Sequence, residues 1–429
     1  MIPAPTVVPD LLDPDGRDAR SAPDGDPLAD FAMACRLGED AFYWARPDGQ
    51  ISLCATGSFD SIDIRGEHRF QEASAWWSAR RVDWPVPFAV GGFSFEDHPT
   101  DGGWSQFGAG RLTVPRNLCI RRGDRCWRIQ PAAMSVSHSS QHAEAREDPP
   151  TIASVMERNG SLAQAFLGNV RDATAKIASG ELEKVAIARS ETHFTAQAAE
   201  PAVAMVRLAH QYPTCAVFAV RRSGQTFIGA TPERLVQVAG GVVSVSALAG
   251  TAPRATDSAA DQAIAEALLA NRKNLHEHRV VVATILERLA RVCTEIRGAE
   301  LPRILSLPNV HHLFTPIQAL PLSTTNLIDL IEALHPTPAV GGTPAIAARR
   351  FIREREGSPR GWYAGPVGWI DASGEGEFVV ALRSALLDDR GWATLYAGNG
   401  IVDGSDPLEE LEETRLKLRP MKMALGIAS

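Results

Sequence analysis

Paired cysteines, long apolar runs and an excess of basic charge are all missing from this chain. Its six cysteines, Cys35, Cys54, Cys119, Cys126, Cys215 and Cys293, are sparse for 429 residues and include no Cys-x-x-Cys pair. A disulfide-stapled secreted scaffold is thereby excluded, and reduced, mostly buried thiols are expected. No run approaches the roughly 18 apolar residues of a membrane span. The N-terminus also lacks the basic start and apolar core of a signal peptide, so a cytoplasmic protein is expected. With 43 Lys and Arg against 51 Asp and Glu, the net charge of -8 gives no general footprint for nucleic acid or an anionic membrane. Neither a Walker A loop nor a Gly-x-Gly-x-x-Gly after a strand is present, which leaves nucleotide binding unsupported. No repeat of 20 to 50 residues indicates a solenoid or propeller.

What remains is ordinary globular material. The 45% hydrophobic and 22% charged content argues against a disordered or fibrous chain. At about 150 residues per domain, the length suits two to three domains or one large single-domain enzyme.

Residues 1 to about 28 are rich in Pro and Asp and poor in large apolar groups, which predicts a loose tail. From Phe31 to about Gln130, short alternating runs punctuated by Gly, Pro and Asp predict a mostly antiparallel sheet region. The polar stretch at 135 to 150 is the linker candidate, which divides the chain into 1-28, 29-150 and 151-429. Beyond it the pattern predicts a helix of about 25 residues ending near Gly180. A strand at 184 to 190 and further strands at 215 to 220, 234 to 239 and 242 to 248 follow, then a long helix from about 271 to 293. A strand near 310 to 317 comes next, then helices near 325 to 334 and 344 to 355, three more strands and a final helix near 406 to 418. Many strands with long helices between some of them predict a large α+β protein.

Several segments carry candidate chemistry. On the final helix Glu410, Glu413 and Lys417 share one face through offsets of three and four. Paired carboxylates suit a hard cation such as Mg2+, which takes one or two of them and keeps its other positions for water and an anionic substrate. A solvated acidic face is the alternative. On the helix NRKNLHEHRVVV, Glu277 is flanked by His276 and His278, and adjacent helix residues point about 100° apart, so the three cannot chelate one zinc. The spacing is not His-Glu-x-x-His either.

Strand alternation in KVAIARS puts Lys184 on a face of small residues with Ala186 and Ala188. If that face lines a pocket, desolvation favours the neutral amine and lets Lys184 act as a base; an edge-strand lysine is the alternative. Arg383, inside the apolar strand VVALRSALL, needs an anionic partner, which is either a ligand or a structural salt bridge. Glycine-containing turns at 229 to 236, 247 to 254, 341 to 344 and 396 to 407 offer backbone amides to a carboxylate.

Taken in order, the blocks KVAIAR, GATPERLV, ALAGTAPR, NLHEHRVV, ALHPTPAVGGTP, RGWYAGPVGWID, GEFVVALRSALL and YAGNGIVDGSDPLEELEETRLKL resemble the chorismate-utilising enzymes. The resemblance covers about 151 to 425, and HPTPAVGGTP and GWYAGPVGW look most like isochorismate synthases. It implies a large α/β sandwich of antiparallel sheets with surrounding helices. The implied reaction is Mg2+-dependent, with no organic cofactor: water attacks C2 of chorismate while the C4 hydroxyl leaves. By position in these blocks Lys184 looks like the base and Glu233 the general acid. Glu277 and Glu413 match the direct Mg2+ ligands, with Glu410 as a close or water-mediated partner. Asn274 stands where relatives often carry a further acid.

Arg383, Lys417 and the backbone at Gly398 match groups that hold the substrate carboxylates. Gly250 and Thr251 match the turn beneath the ring, and Tyr396 lies in the same pocket block. His335, Ala339 and Val340 bear on the product. Salicylate synthases tend to carry a hydroxyl side chain at the place of Ala339 and lack the histidine. Water is favoured as nucleophile over ammonia, so no glutaminase partner is expected, and the self-contained core of the implied fold makes a monomer the expectation. A salicylate synthase, an ammonia-using synthase component and a non-catalytic binding module are the alternatives.

Overall fold

Strand Lys184–Phe194 is the axis from which the rest can be followed. It pairs antiparallel along its length with Trp392–Ile401, so that Ala186 faces Gly400, Ala188 faces Gly398 and Ser190 faces Tyr396. On its other side Lys184 and Val185 pair with the short strand Gly342–Thr343. The computed structural model describes residues 19–21, 25–49, 51–80, 88–97, 102–129, 150–195 and 200–428. Most of the expected tail and all but the last residue of the expected linker lie outside them.

Every strand pairing among the described residues is antiparallel, and together they form one hydrogen-bonded network. Strands from the first third of the chain are built into it. Ala41–Arg46 pairs with Ala216–Arg222, and Phe88–Phe93 pairs with Pro366–Asp371. The period-2 alternation of AFYWAR explains how one strand serves two cores: Phe42 and Trp44 face one cluster, Tyr43 and Ala45 the other. Strand Val242–Pro253 runs beside Val310–Pro321 with an irregularity between Ala249 and Thr251, where Gly250 takes φ +81°. That bulge turns the backbone toward helix Arg272–Leu289. With helices on these sheets, the fold is α+β.

Helix Pro27–Leu37 runs from the end of the expected tail into the region expected to be mostly sheet, and helix Arg69–Arg80 lies inside that region. Their apolar spacing is helical, with Phe31 and Ala34 buried in the first and Phe70, Ala73 and Trp77 in the second. Each is short enough to be lost among neighbouring strand signals. The expected helix from 271 to 293 is Arg272–Leu289, capped by the Asn271 side chain, and a separate helix, Ser258–Ala270, precedes it. The last helix is longer than its pattern suggested. Pro407–Leu425 starts from an Asp406 cap, continues through Pro420 and stops at left-handed Gly426. Burial of Leu418, Met421 and Leu425 on one side outweighs the backbone bond lost at Pro420. Among the described residues no helix is long and apolar enough to cross a membrane.

Candidate active site

The paired strands Lys184–Phe194 and Trp392–Ile401 meet helices Arg272–Leu289 and Pro407–Leu425 around a cavity of about 910 Å3, including its mouth. Eleven of the thirteen site residues expected from the sequence are on its wall: Glu233, Gly250, Thr251, Glu277, Ala339, Arg383, Tyr396, Gly398, Glu410, Glu413 and Lys417. Lys184 and His335 are not.

Lys184 sits directly behind the wall. Its side chain has no exposed surface, and its Nζ donates to Glu277 Oε1 at 2.8 Å. An edge-strand lysine would be exposed, so that alternative does not describe it. Gly400 makes room for the pair, since a Cβ there would stand 2.6 Å from Lys184 Cε and 2.9 Å from Nζ.

Glu233 ends a buried turn, its N–H donating to Thr231 Oγ1 at 3.2 Å and its carbonyl accepting from Val380 N–H at 3.0 Å. Burial pushes its carboxyl up to about 7, against the opposing pull of Lys184, Lys417 and Arg383. A carboxylic acid that keeps its proton near neutrality can deliver one.

Arg383 is 8% exposed, in a left-handed conformation at φ 49°, and burial lowers its guanidinium from the usual value. The structural salt bridge considered for it is not formed, because among the described residues no carboxylate pairs with it. Its Nη2 instead donates to His312 Nε2 at 3.1 Å. With Nε2 accepting, the proton is on Nδ1, which reaches Thr251 Oγ1 at 3.1 Å. Burial, reinforced by Arg383 and Lys417, holds His312 well below the usual range and therefore neutral. Sequence reasoning missed His312. Its one signal is the pair His311-His312 in an apolar strand, where alternation sends only one ring toward any given face.

Besides Glu233, three carboxylates face the cavity, and each of these is turned to a lysine: Glu277 to Lys184, Glu410 to Lys273 at 3.1 Å, and Glu413 to Lys417 at 2.6 Å. The acidic face of the last helix is thus not simply solvated, since Glu410 is only 4% exposed. Burial raises Glu410 above the usual carboxylate value, and the neighbouring charge of Glu413 raises it further. Glu277 and Glu413, the two expected direct ligands, share the cavity with Glu410, the expected close partner, and among the described residues no group of three or more His, Cys, Asp or Glu side chains is placed to hold one metal ion. The donor set still fits Mg2+, which asks for hard oxygens and only one or two protein carboxylates. Crowded negative charge between Glu410 and Glu413 is what a divalent cation would relieve.

Lys417 ties the last helix to the strand below, donating to the Gly398 carbonyl at 3.0 Å and to Asn399 Oδ1 at 2.9 Å. The Asn399 amide in turn donates to Glu410 Oε2 at 2.9 Å. Tyr396 accepts from Trp104 Nε1 at 2.9 Å, a brace from the N-terminal third of the chain. His335, expected to meet substrate, is not on the cavity wall of this structure: its Nε2 donates to the Phe95 carbonyl at 3.2 Å and its ring stands among Phe70 and Phe95. Of the residues grouped with it, Ala339 and Val340 do reach the cavity.

The family described as Chorismate binding enzyme matches residues 19–426. The "Salicylate biosynthesis isochorismate synthase" of Pseudomonas aeruginosa is 34% identical over 422 residues, covering 94% of this chain and 88% of that protein. "Isochorismate synthase MenF" of Bacillus subtilis is 32% identical over 433 residues, covering 94% and 91%. Among solved structures, that of MenF, the menaquinone-specific isochorismate synthase from Escherichia coli, superposes with a TM-score of 0.76 at 25% identity, covering 97% of each chain. With a family match over nearly its whole length and relatives above 30% identity along it, the chain belongs to the chorismate binding enzymes.

Proposed function

We propose that this chain is an isochorismate synthase that converts chorismate to isochorismate, using water as nucleophile and no glutaminase partner. The observation that carries the reading is Arg383. A buried guanidinium with no carboxylate partner among the described residues, on the wall of a cavity that also holds the protonatable Glu233, calls for an anionic substrate next to a proton donor. The names of the relatives support the same reaction.

In this reading Arg383 and Lys417 receive the substrate carboxylates, and the Gly250–Thr251 turn supports the ring. Lys184 takes a proton from the water that bonds to C2, the ring double bonds shift, and Glu233 gives its proton to the C4 hydroxyl, which leaves as water. One water enters and one departs, so the net change is an isomerisation. Glu413 and Glu277, with Glu410 beside them, would hold Mg2+, which supplies charge neutralisation for a ring carboxylate.

Incubation with chorismate and Mg2+ tests the proposal. Isochorismate as the product supports it. Salicylate with pyruvate would replace it with a salicylate synthase, an aminated product requiring ammonium would make the chain an ammonia-using synthase, and binding without turnover would leave a binding module.

A further inference from the structure

Segments 335–341 and 356–364 bring Ala339, Val340, Arg360 and Tyr363 to the cavity wall. Both are fastened to one residue from the N-terminal third, Phe95, through its ring and its backbone; it is 1% exposed and does not itself line the cavity. The Arg360 guanidinium lies over the Phe95 ring, 4.1 Å from its centroid. The Phe95 N–H donates to the Gly361 carbonyl at 2.8 Å, and its carbonyl accepts from His335 Nε2 at 3.2 Å. The His335 ring stands edge-on to the Phe95 ring, 5.9 Å away at 86°.

Arg360 carries this anchoring into the wall. Its Nη1 donates to the Val340 carbonyl at 2.7 Å and its Nη2 to the Ala186 carbonyl at 2.8 Å. Its charge is met by Glu356, whose Oε1 also accepts from the Ala188 N–H at 2.8 Å. A planar guanidinium makes these fork-shaped contacts only when its plane is held, and an aromatic face stacked on it holds that plane. Ala186 and Ala188 follow Lys184 along the same strand face, so the orientation of Arg360 also bears on how the ring stands relative to the base.

We propose that Phe95 is a positioning residue for the reaction, acting through Arg360 to set where Val340, Ala186 and Ala188 stand against the substrate ring. This rests on the isochorismate synthase reading of the cavity. Misalignment of reacting groups by a fraction of an ångström lowers turnover more than it lowers binding. A residue that merely filled the core would change stability and leave the kinetics of the folded enzyme alone.

The test uses Phe95→Leu, which keeps a buried apolar side chain but removes the ring face. The expected result is kcat about tenfold lower per folded enzyme, with KM for chorismate within about twofold. Arg360→Lys, which keeps the charge for Glu356 and loses the fork, should lower kcat to a similar extent. The double variant should be no worse than either single one, since both remove the same arrangement. A crystal structure of the Leu variant should show Arg360 withdrawn from the Val340 carbonyl. A kcat within twofold of wild type, additive losses in the double variant, or an unmoved Arg360 would each overturn the proposal. Phe95→Met, a milder change, serves if Leu fails to fold. Should the wild-type enzyme not turn over chorismate, the functional reading fails by itself, and the position of Arg360 in the variant crystal still decides the role of Phe95.

Discussion

Lys184 and Glu277, 93 residues apart in the chain, form a 2.8 Å ion pair in which the lysine has no exposed surface and the glutamate forms cavity wall. The two roles suggested separately by the sequence, base and metal ligand, therefore meet in one contact. Whatever engages Glu277 also changes what the Lys184 Nζ donates to.

Lys184→Ala is expected to lower turnover of chorismate by about 100- to 10,000-fold, the usual range for loss of a general base. It also leaves Glu277 as an unpaired buried carboxylate, at a cost of about 3 to 5 kcal/mol in unfolding free energy. Initial rates and a urea melt on the same preparation separate the two effects. Turnover within tenfold of wild type would remove Lys184 from the base role.

With Glu233 as the proposed general acid, its carboxyl is expected to set the pH dependence. Its carboxyl is raised from 4.5 to about 7, chiefly by burial, and only the protonated form can act as an acid. The rate at low substrate should therefore fall as pH rises through about 7, and Glu233→Gln should abolish that limb with most of the activity. Stability runs in the same direction. The folded chain binds the proton more tightly than the unfolded one, so this group's contribution is complete below 4.5 and is lost as pH rises through about 7, with a slope of up to about 1.4 kcal/mol per pH unit. Denaturant melts between pH 5 and 8 on wild type and Glu233→Gln check the sign.

Side-chain direction was legible in the sequence wherever a period decided it. Helical spacing put Glu410, Glu413 and Lys417 on one face, and the structure has Glu413 and Lys417 in contact with Glu410 beside them. The punctuated alternating runs carried the α+β class. Contacts between distant segments were not legible, because no local pattern encodes them. The partner of Lys184 is one case. His335 is another, its ring donating to a carbonyl 240 residues earlier. His312 shows a third limit: alternation separates it from His311 but does not say which of the two faces the cavity. The helices Pro27–Leu37 and Arg69–Arg80 were hidden by their brevity between strands.

Glu413 is paired with Lys417 at 2.6 Å and adds to the charge that raises Glu410. Glu413→Gln is expected to raise the Mg2+ concentration needed for half-maximal activity, because it removes a hard anionic donor while keeping the side-chain shape. It also frees Lys417 from its carboxylate. A Mg2+ titration of the rate, after removal of divalent ions with a chelator, reads the effect; an unchanged midpoint would take Glu413 out of the metal site.

Gly400 gives the sharpest geometric prediction. It lies opposite Ala186 in the strand pair, and a Cβ on it would enter the space filled by Lys184 Cε, 2.6 Å away, and by the Glu277 carboxylate. Lys184 cannot retreat, since its side chain is enclosed, so Gly400→Ala must push amine and carboxylate apart. Strand pairing is unaffected, because alanine adopts extended backbone without strain. Turnover should fall by at least about 100-fold while the far-UV spectrum is kept. Gly160→Ala is the control: that helical glycine has nothing within 4 Å of the added Cβ. It should leave kcat unchanged and stabilise the chain by about 0.5 to 1 kcal/mol. A fully active Gly400→Ala would mean that the pair can move without loss of function, and that the close packing around Lys184 does not serve the chemistry.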